Sequence, residues 1–137
     1  MYLVLTVLSA VLVADVTPAP IPKELQQLQG KWVLSQGEKN GTKVEKQEQD
    51  NLVLEIREHK WIFTGQEKAT ITAIDSKIID LKSCEQGRVG RVDEGIYKLE
   101  GDRLTFCVYQ GDGKKRPTEF TSTDDDTVLV VFERLKR

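Results

Sequence analysis

The chain is poor in the side chains that carry most enzymatic chemistry: among its 137 residues there are one histidine, two cysteines and one methionine. A structural zinc site takes four Cys or His ligands and a catalytic one takes three protein ligands, so His59 beside Trp61 supplies neither. Nucleophilic catalysis by serine or cysteine needs a positioned base, and His59, on the polar side of a turn, has no evident partner. The expectation is a solvated histidine, no metal, no cofactor and no catalytic residue. Asp75 with Asp80, and Asp93 with Glu94, are read as surface carboxylates on strands facing water rather than as acid–base pairs.

An excess of one charge is also missing. Lysine and arginine total 20 against 22 acidic residues, a formal net charge of −2, which removes the basis for broad attraction to nucleic acid or an anionic membrane. The consecutive Asp124, Asp125 and Asp126 lack the spaced ligands and glycine of a calcium loop, and are expected to turn the chain and keep sheet edges apart. Gly111-Asp112-Gly113-Lys114-Lys115-Arg116 is not followed by a helix start, so it is a solvated turn rather than a phosphate-binding loop.

The one long apolar run spans residues 2–14 and is too short to cross a bilayer comfortably. Followed by Asp15 and Thr17-Pro18-Ala19-Pro20-Ile21-Pro22, it reads as a secretory leader and extended spacer, although no lysine or arginine precedes it. The chain therefore divides into a signal peptide at 1–19, with cleavage after Ala14 or Ala19, and one domain at 20–137. The protein is expected to be exported and monomeric. In an exported protein Cys84 and Cys107 are a candidate disulfide, since each sits opposite the apolar face of its strand pattern; two separate small side chains are the alternative.

What remains is dominated by a period of two. After leucines at 25 and 28, which suit a helical turn, strand patterns cover residues 31–36, 52–57, 60–64, 67–74, 77–82, 94–100, 103–109, 118–122 and 127–134, with a turn at 37–41. Such a chain, with almost no helix, is all-β: a small antiparallel up-and-down lipocalin-like barrel of eight to ten strands with a short N-terminal helical turn. Gly30-Lys31-Trp32 favours the closed form. The glycine permits a sharp approach, Trp32 can plug one end, and Arg134 on the last strand can cover the indole, so that first and last strands meet.

Several segments then resemble one family: Leu28-Gln29-Gly30-Lys31-Trp32, Trp61-Ile62-Phe63, Ile79-Asp80-Leu81, the run from Gly95-Ile96-Tyr97 through Asp102-Arg103-Leu104 with Cys107 beyond it, and Arg116-Pro117-Thr118-Glu119-Phe120. They resemble small lipocalin-like domains of unknown function found in exported planctomycete proteins. The resemblance spans nearly the whole mature chain, is most specific from Gly95 to Cys107, and leaves Cys84 outside its pattern. It implies a lipocalin-like barrel and no established activity.

The chain is thus expected to be a non-catalytic binding module for a small apolar ligand inside the barrel, or alternatively an interaction or inhibitor module that uses loops on a solid, self-filled barrel and takes an exported protein partner. The candidate lining is Leu54, Ile56, Trp61, Phe63, Ile71, Ile79, Leu81, Tyr97, Leu99, Leu104, Phe106, Val128, Val130 and Phe132. Counting strands back from the carboxyl terminus places the turns at 75–77, 101–102 and 123–126 opposite Trp32, rimming an opening with aspartates. It gathers the candidate interaction residues Arg88, Arg91, Lys114, Lys115 and Arg116 at the Trp32 end.

Overall fold

The computed structural model describes residues 20–45 and 52–136; the expected signal segment lies outside them. A short helix α1 (Lys23–Gln26) is followed by β1 (Gly30–Lys39), β2 (Thr42–Glu45), β3 (Val53–Arg57), β4 (Lys60–Phe63), β5 (Gln66–Ile74), β6 (Ile78–Ser83), β7 (Val92–Glu100), β8 (Arg103–Tyr109) and β9 (Thr127–Arg134). From β3 to β9 each strand pairs antiparallel with the next, and β9 returns to β1. Eight strands close the barrel, and β2 is an extra strand on the far part of β1.

Alternation decides the faces. In β3 Leu54 and Ile56 are buried between a partly exposed Glu55 and an exposed Arg57, and the same period turns Ile79, Leu81, Tyr97, Leu104, Phe106 and Phe132 into one core. The predicted strands reappear within a residue or two, with two exceptions. β1 runs through the expected turn at 37–41 and reverses only at Asn40-Gly41, because the segment has two partners at once: β9 on one side and β2 on the other. The alternating 118–122 segment is not a strand. With β8 and β9 paired to each other along their whole length, no free edge is left at that point, and the segment crosses the outer wall instead.

Closure rests on the pairing Trp32↔Arg134. Trp32 is fully buried, its Nε1 donates to the Leu28 carbonyl at 2.9 Å, and the Arg134 guanidinium lies 4.2 Å from the ring centroid. Arg134 also donates to the carbonyls of Gln27 and Gln29 at the end of the helical turn and pairs with Asp102. Gly30, at φ 118°, makes the bend that brings α1 under the sheet; a side chain there would be strained at that φ. Leu25 and Leu28 complete the plug, both wholly buried. Gly95 has a different role: a Cβ would stand 2.8 Å from the Cys107 carbonyl oxygen, so only glycine lets β7 and β8 approach this closely.

Burying an indole of this size is worth about 4–6 kcal/mol by area, against about 0.5–2 for the cation above it. Trp32→Ala is accordingly expected to lose about 3–5 kcal/mol and leave little folded protein, whereas Arg134→Ala loses about 1–2 kcal/mol and folds, as read by urea denaturation under circular dichroism. Tyr97, buried and donating its hydroxyl to the Asp75 carbonyl, has its pKa pushed up by burial to about 12 from 10.0. The unfolded chain ionises first, so stability is expected to fall between pH 10 and about 12, and Tyr97→Phe should flatten that fall.

Candidate functional site

The two ends of the barrel differ. At the Trp32 end the inward side chains Leu25, Leu28, Trp32, Leu54 and Leu104 are 0% exposed and Ile56 is 1% exposed, with Ile21, Ile74 and Leu99 partly buried against them. At the other end a contiguous arc of inward apolar side chains stays partly open to solvent: Val128 and Val130 on β9, Leu34 on β1, Leu52 leading into β3 and Phe63 on β4. The floor beneath is aromatic. Phe106 sits edge-on to Trp61 at 4.9 Å between centroids, 6.3 Å from Tyr97 and 6.0 Å from Phe132, and Phe132 meets Phe63 at 6.4 Å. Of the residues expected to line the barrel, all but Val128 lie in the apolar core or pack against it, and Val128 follows the alternation of Val130 and Phe132 on β9.

The expected placement of turns is corrected by the register. An up-and-down chain reverses at every hairpin, so the β7–β8 turn must lie where β9 ends: Arg103 pairs with Glu133, and Arg134 donates its backbone N–H to the Asp102 carbonyl at 2.8 Å. Asp75 and Asp102 therefore stand at the Trp32 end, and of the expected aspartate rim only Asp124, Asp125 and Asp126 lie at the far end. The connections carrying Arg88, Arg91, Lys114 and Lys115 begin and finish at the open end, opposite to the expectation.

These cations do not act as one free cluster. Arg116 leaves the rim and lies on the outer wall, 2.7 Å from Asp80 and 3.4 Å from Glu94, and donates to the carbonyls of Gly95 and Ile79. Asp80 and Glu94 are cross-strand neighbours, so Arg116 offsets a repulsion that the sequence pairs Asp75/Asp80 and Asp93/Glu94 did not reveal. Arg91 donates to the carbonyls of Gln110 and Gly111 and reaches Asp112 at 3.4 Å. Arg88 turns back over the barrel mouth and gives Asp93 two hydrogen bonds from Nη2, at 3.0 and 3.1 Å. Asp93 is 7% exposed and shares the inward register of Leu81. Asp93 is therefore not the water-facing carboxylate expected of it: an acidic residue facing the core breaks the apolar pattern of its strand, and that break was the signal the sequence offered.

Beyond Arg116 the chain straps the outer wall. Ser122, 1% exposed, takes hydrogen bonds from the backbone N–H of Asn40 on its Oγ and of Gly41 on its carbonyl, and donates its own N–H to Glu38. The strap is thereby fixed to the β1–β2 turn. Phe120 packs under the Lys98 ammonium, 4.7 Å from the ring centroid, and the Cys107 thiol, buried, donates to the Thr121 carbonyl at 3.4 Å. A groove of about 260 Å³ runs beside it, lined by Lys115, Thr118, Thr121, Thr123 and Asp124 among others. His59 is not a freely solvated residue: it is partly buried, with Nδ1 3.3 Å from the Ile71 carbonyl and Nε2 enclosed without a partner. Its ring stands at the β3–β4 turn against β5.

The candidate disulfide is also corrected. Both cysteines are free, Cys84 exposed and Cys107 buried. Cys107 is level with Ile96, and Ile96 with Ile78, whereas Cys84 follows the far end of β6. That offset along the strand direction is about 20 Å, well beyond the roughly 7 Å limit between bridged Cα atoms. Cys84 is hydrogen-bonded to the Glu67 carbonyl at 3.3 Å, and burial pushes the Cys107 thiol pKa up. Iodoacetamide is expected to modify the native protein at Cys84 alone and at Cys107 only after denaturation; an intact mass 2 Da lower without reductant, with no labelling in either state, would show a bridge instead.

Comparison with known proteins gives no match to a family model, to a curated protein or to a solved structure.

Proposed function

We propose that this protein is an exported, monomeric, non-catalytic binding module of the lipocalin-like type, a cup closed at one end by Trp32 that takes a small apolar ligand through the other. The reading is carried by one observation. Leu25, Leu28, Trp32, Leu54 and Leu104 at the Trp32 end are wholly buried, while Leu34, Leu52, Phe63, Val128 and Val130 face the interior and are only partly buried. Apolar groups left on an inner wall are what an occupant can cover at a gain of about 25 cal/mol per Å². Eight-stranded barrels are wide enough to fill with side chains or to hold one small ligand, and this one does the first over its lower half. The packing of Phe106 against three other rings supports the second reading, a solid barrel that engages a protein partner through its loops.

A neutral naphthylamine dye that fluoresces in apolar surroundings separates the two. It is expected to bind the wild-type protein. Val130→Trp, which fills the cup, should weaken binding by about tenfold or more, and Val33→Trp on the outer wall should leave it unchanged. No binding, or equal loss in both variants, favours the solid barrel.

A further inference from the structure

We infer that the ligand of the cup is an amphiphile with an anionic head, of the long-chain carboxylate class, whose head is held by Arg88 at the rim. This rests on the cup reading and specifies the chemistry of its occupant. Arg88 is the only arginine among the described residues whose guanidinium contacts a carboxylate on the inward face of the barrel. A guanidinium carries five N–H donors in a planar fork. Asp93 uses only those on Nη2, and no other side-chain or backbone acceptor among the described residues takes Nε or Nη1. Arg116 shows the contrast, with Nη1 and Nη2 together serving two carboxylates and two carbonyls.

The Arg88 side chain is 29% exposed while the Asp93 carboxylate below it is 9% exposed. The fork thus has Nη2 fixed by Asp93, and its Nε and Nη1 donors, untaken among the described residues, belong to a side chain that is still partly open to solvent. A second carboxylate arriving there finds a preorganised cation, and two charge-assisted hydrogen bonds are available without displacing Asp93. The apolar arc on β9, β1, β3 and β4 faces it across the mouth and takes the tail. Lys39 reinforces the sign: its register with Val128 puts it on the inner side of β1 at the same end, exposed and with no ion pair among the described residues. Of the acids at this end, Glu85 is matched by Lys68 and Asp112 by Arg91, while Asp124, Asp125 and Asp126 stand on the β8–β9 connection that also carries Lys114 and Lys115.

Displacement of the naphthylamine dye by three ligands of equal chain length tests the head: dodecanoate, dodecanol and dodecyltrimethylammonium, each below its micelle concentration. Dodecanoate is expected to compete about tenfold better than dodecanol, and the cationic chain worst. Arg88→Gln should bring dodecanoate to the level of dodecanol while the dye still binds, and Lys39→Gln, at an exposed position, should reduce the preference by a smaller factor. Equal competition by all three chains, or a preference for the cation, overturns the assignment of the head and leaves the cup standing. Failure of the dye to bind the wild-type protein removes the cup and this inference with it. A preference for dodecanoate that survives in folded Arg88→Gln assigns the head to another residue and overturns the role of Arg88.

Discussion

The contact on which the rest depends is the indole of Trp32 held between the helical turn beneath it and the guanidinium of Arg134 above. It is where the first and last strands meet, and the carbonyls that Arg134 binds belong to the turn that carries Leu25 and Leu28. One residue pair thus closes the sheet, caps one end and anchors the amino-terminal segment. A barrel without that closure would present two free edges and an open apolar base. The end buried by Trp32, Leu25 and Leu28 also sets the two ends of the barrel apart.

Much of this was legible in the sequence, and for a physical reason. Side-chain direction in a strand is a local property of period two, so Leu54, Ile56, Phe106 and Phe132 could be assigned to the interior from their neighbours alone. Trp32 and Arg134 could be paired because a large aromatic near one terminus needs a cover, and the last strand offered a cation. The properties that failed to show were non-local. Whether residues 118–122 form a strand depends on an unpaired edge being present, and the sequence of that segment carries no information about edges. The length of β1 depends on three partners, of which β2 follows it directly while β3 and β9 come later in the chain.

The site itself was half visible. The cations at 88, 91, 114, 115 and 116 were recognisable as a group, yet their division between rim and outer wall follows from carboxylates on other strands. Arg116 went to the outer wall because Asp80 and Glu94 face each other there, and Arg88 stayed at the rim because Asp93 faces inward. The placement of the turns did not show either, because each hairpin reverses the chain and the end at which Asp75 and Asp102 stand depends on the register of every strand before them. The two cysteines show the same limit. Both stood on the outward face as their strands required, but a shared face says nothing about the offset along the barrel.

The seam between β1 and β9 has a consequence for how the molecule is made. Arg134 and Gln29 touch across 105 positions of chain, whereas the other neighbouring strands of the barrel wall follow one another in the chain, with only β2 inserted between β1 and β3. Hairpins can assemble early and locally, but the seam gains nothing until both ends of the polypeptide have emerged and found each other, and the loop entropy of that search falls on one step. Until then the inner wall lies open on an unrolled sheet, exposed to other chains. A ribosome-bound copy of this protein is in that state, so its vulnerable period lasts until the final strand is delivered.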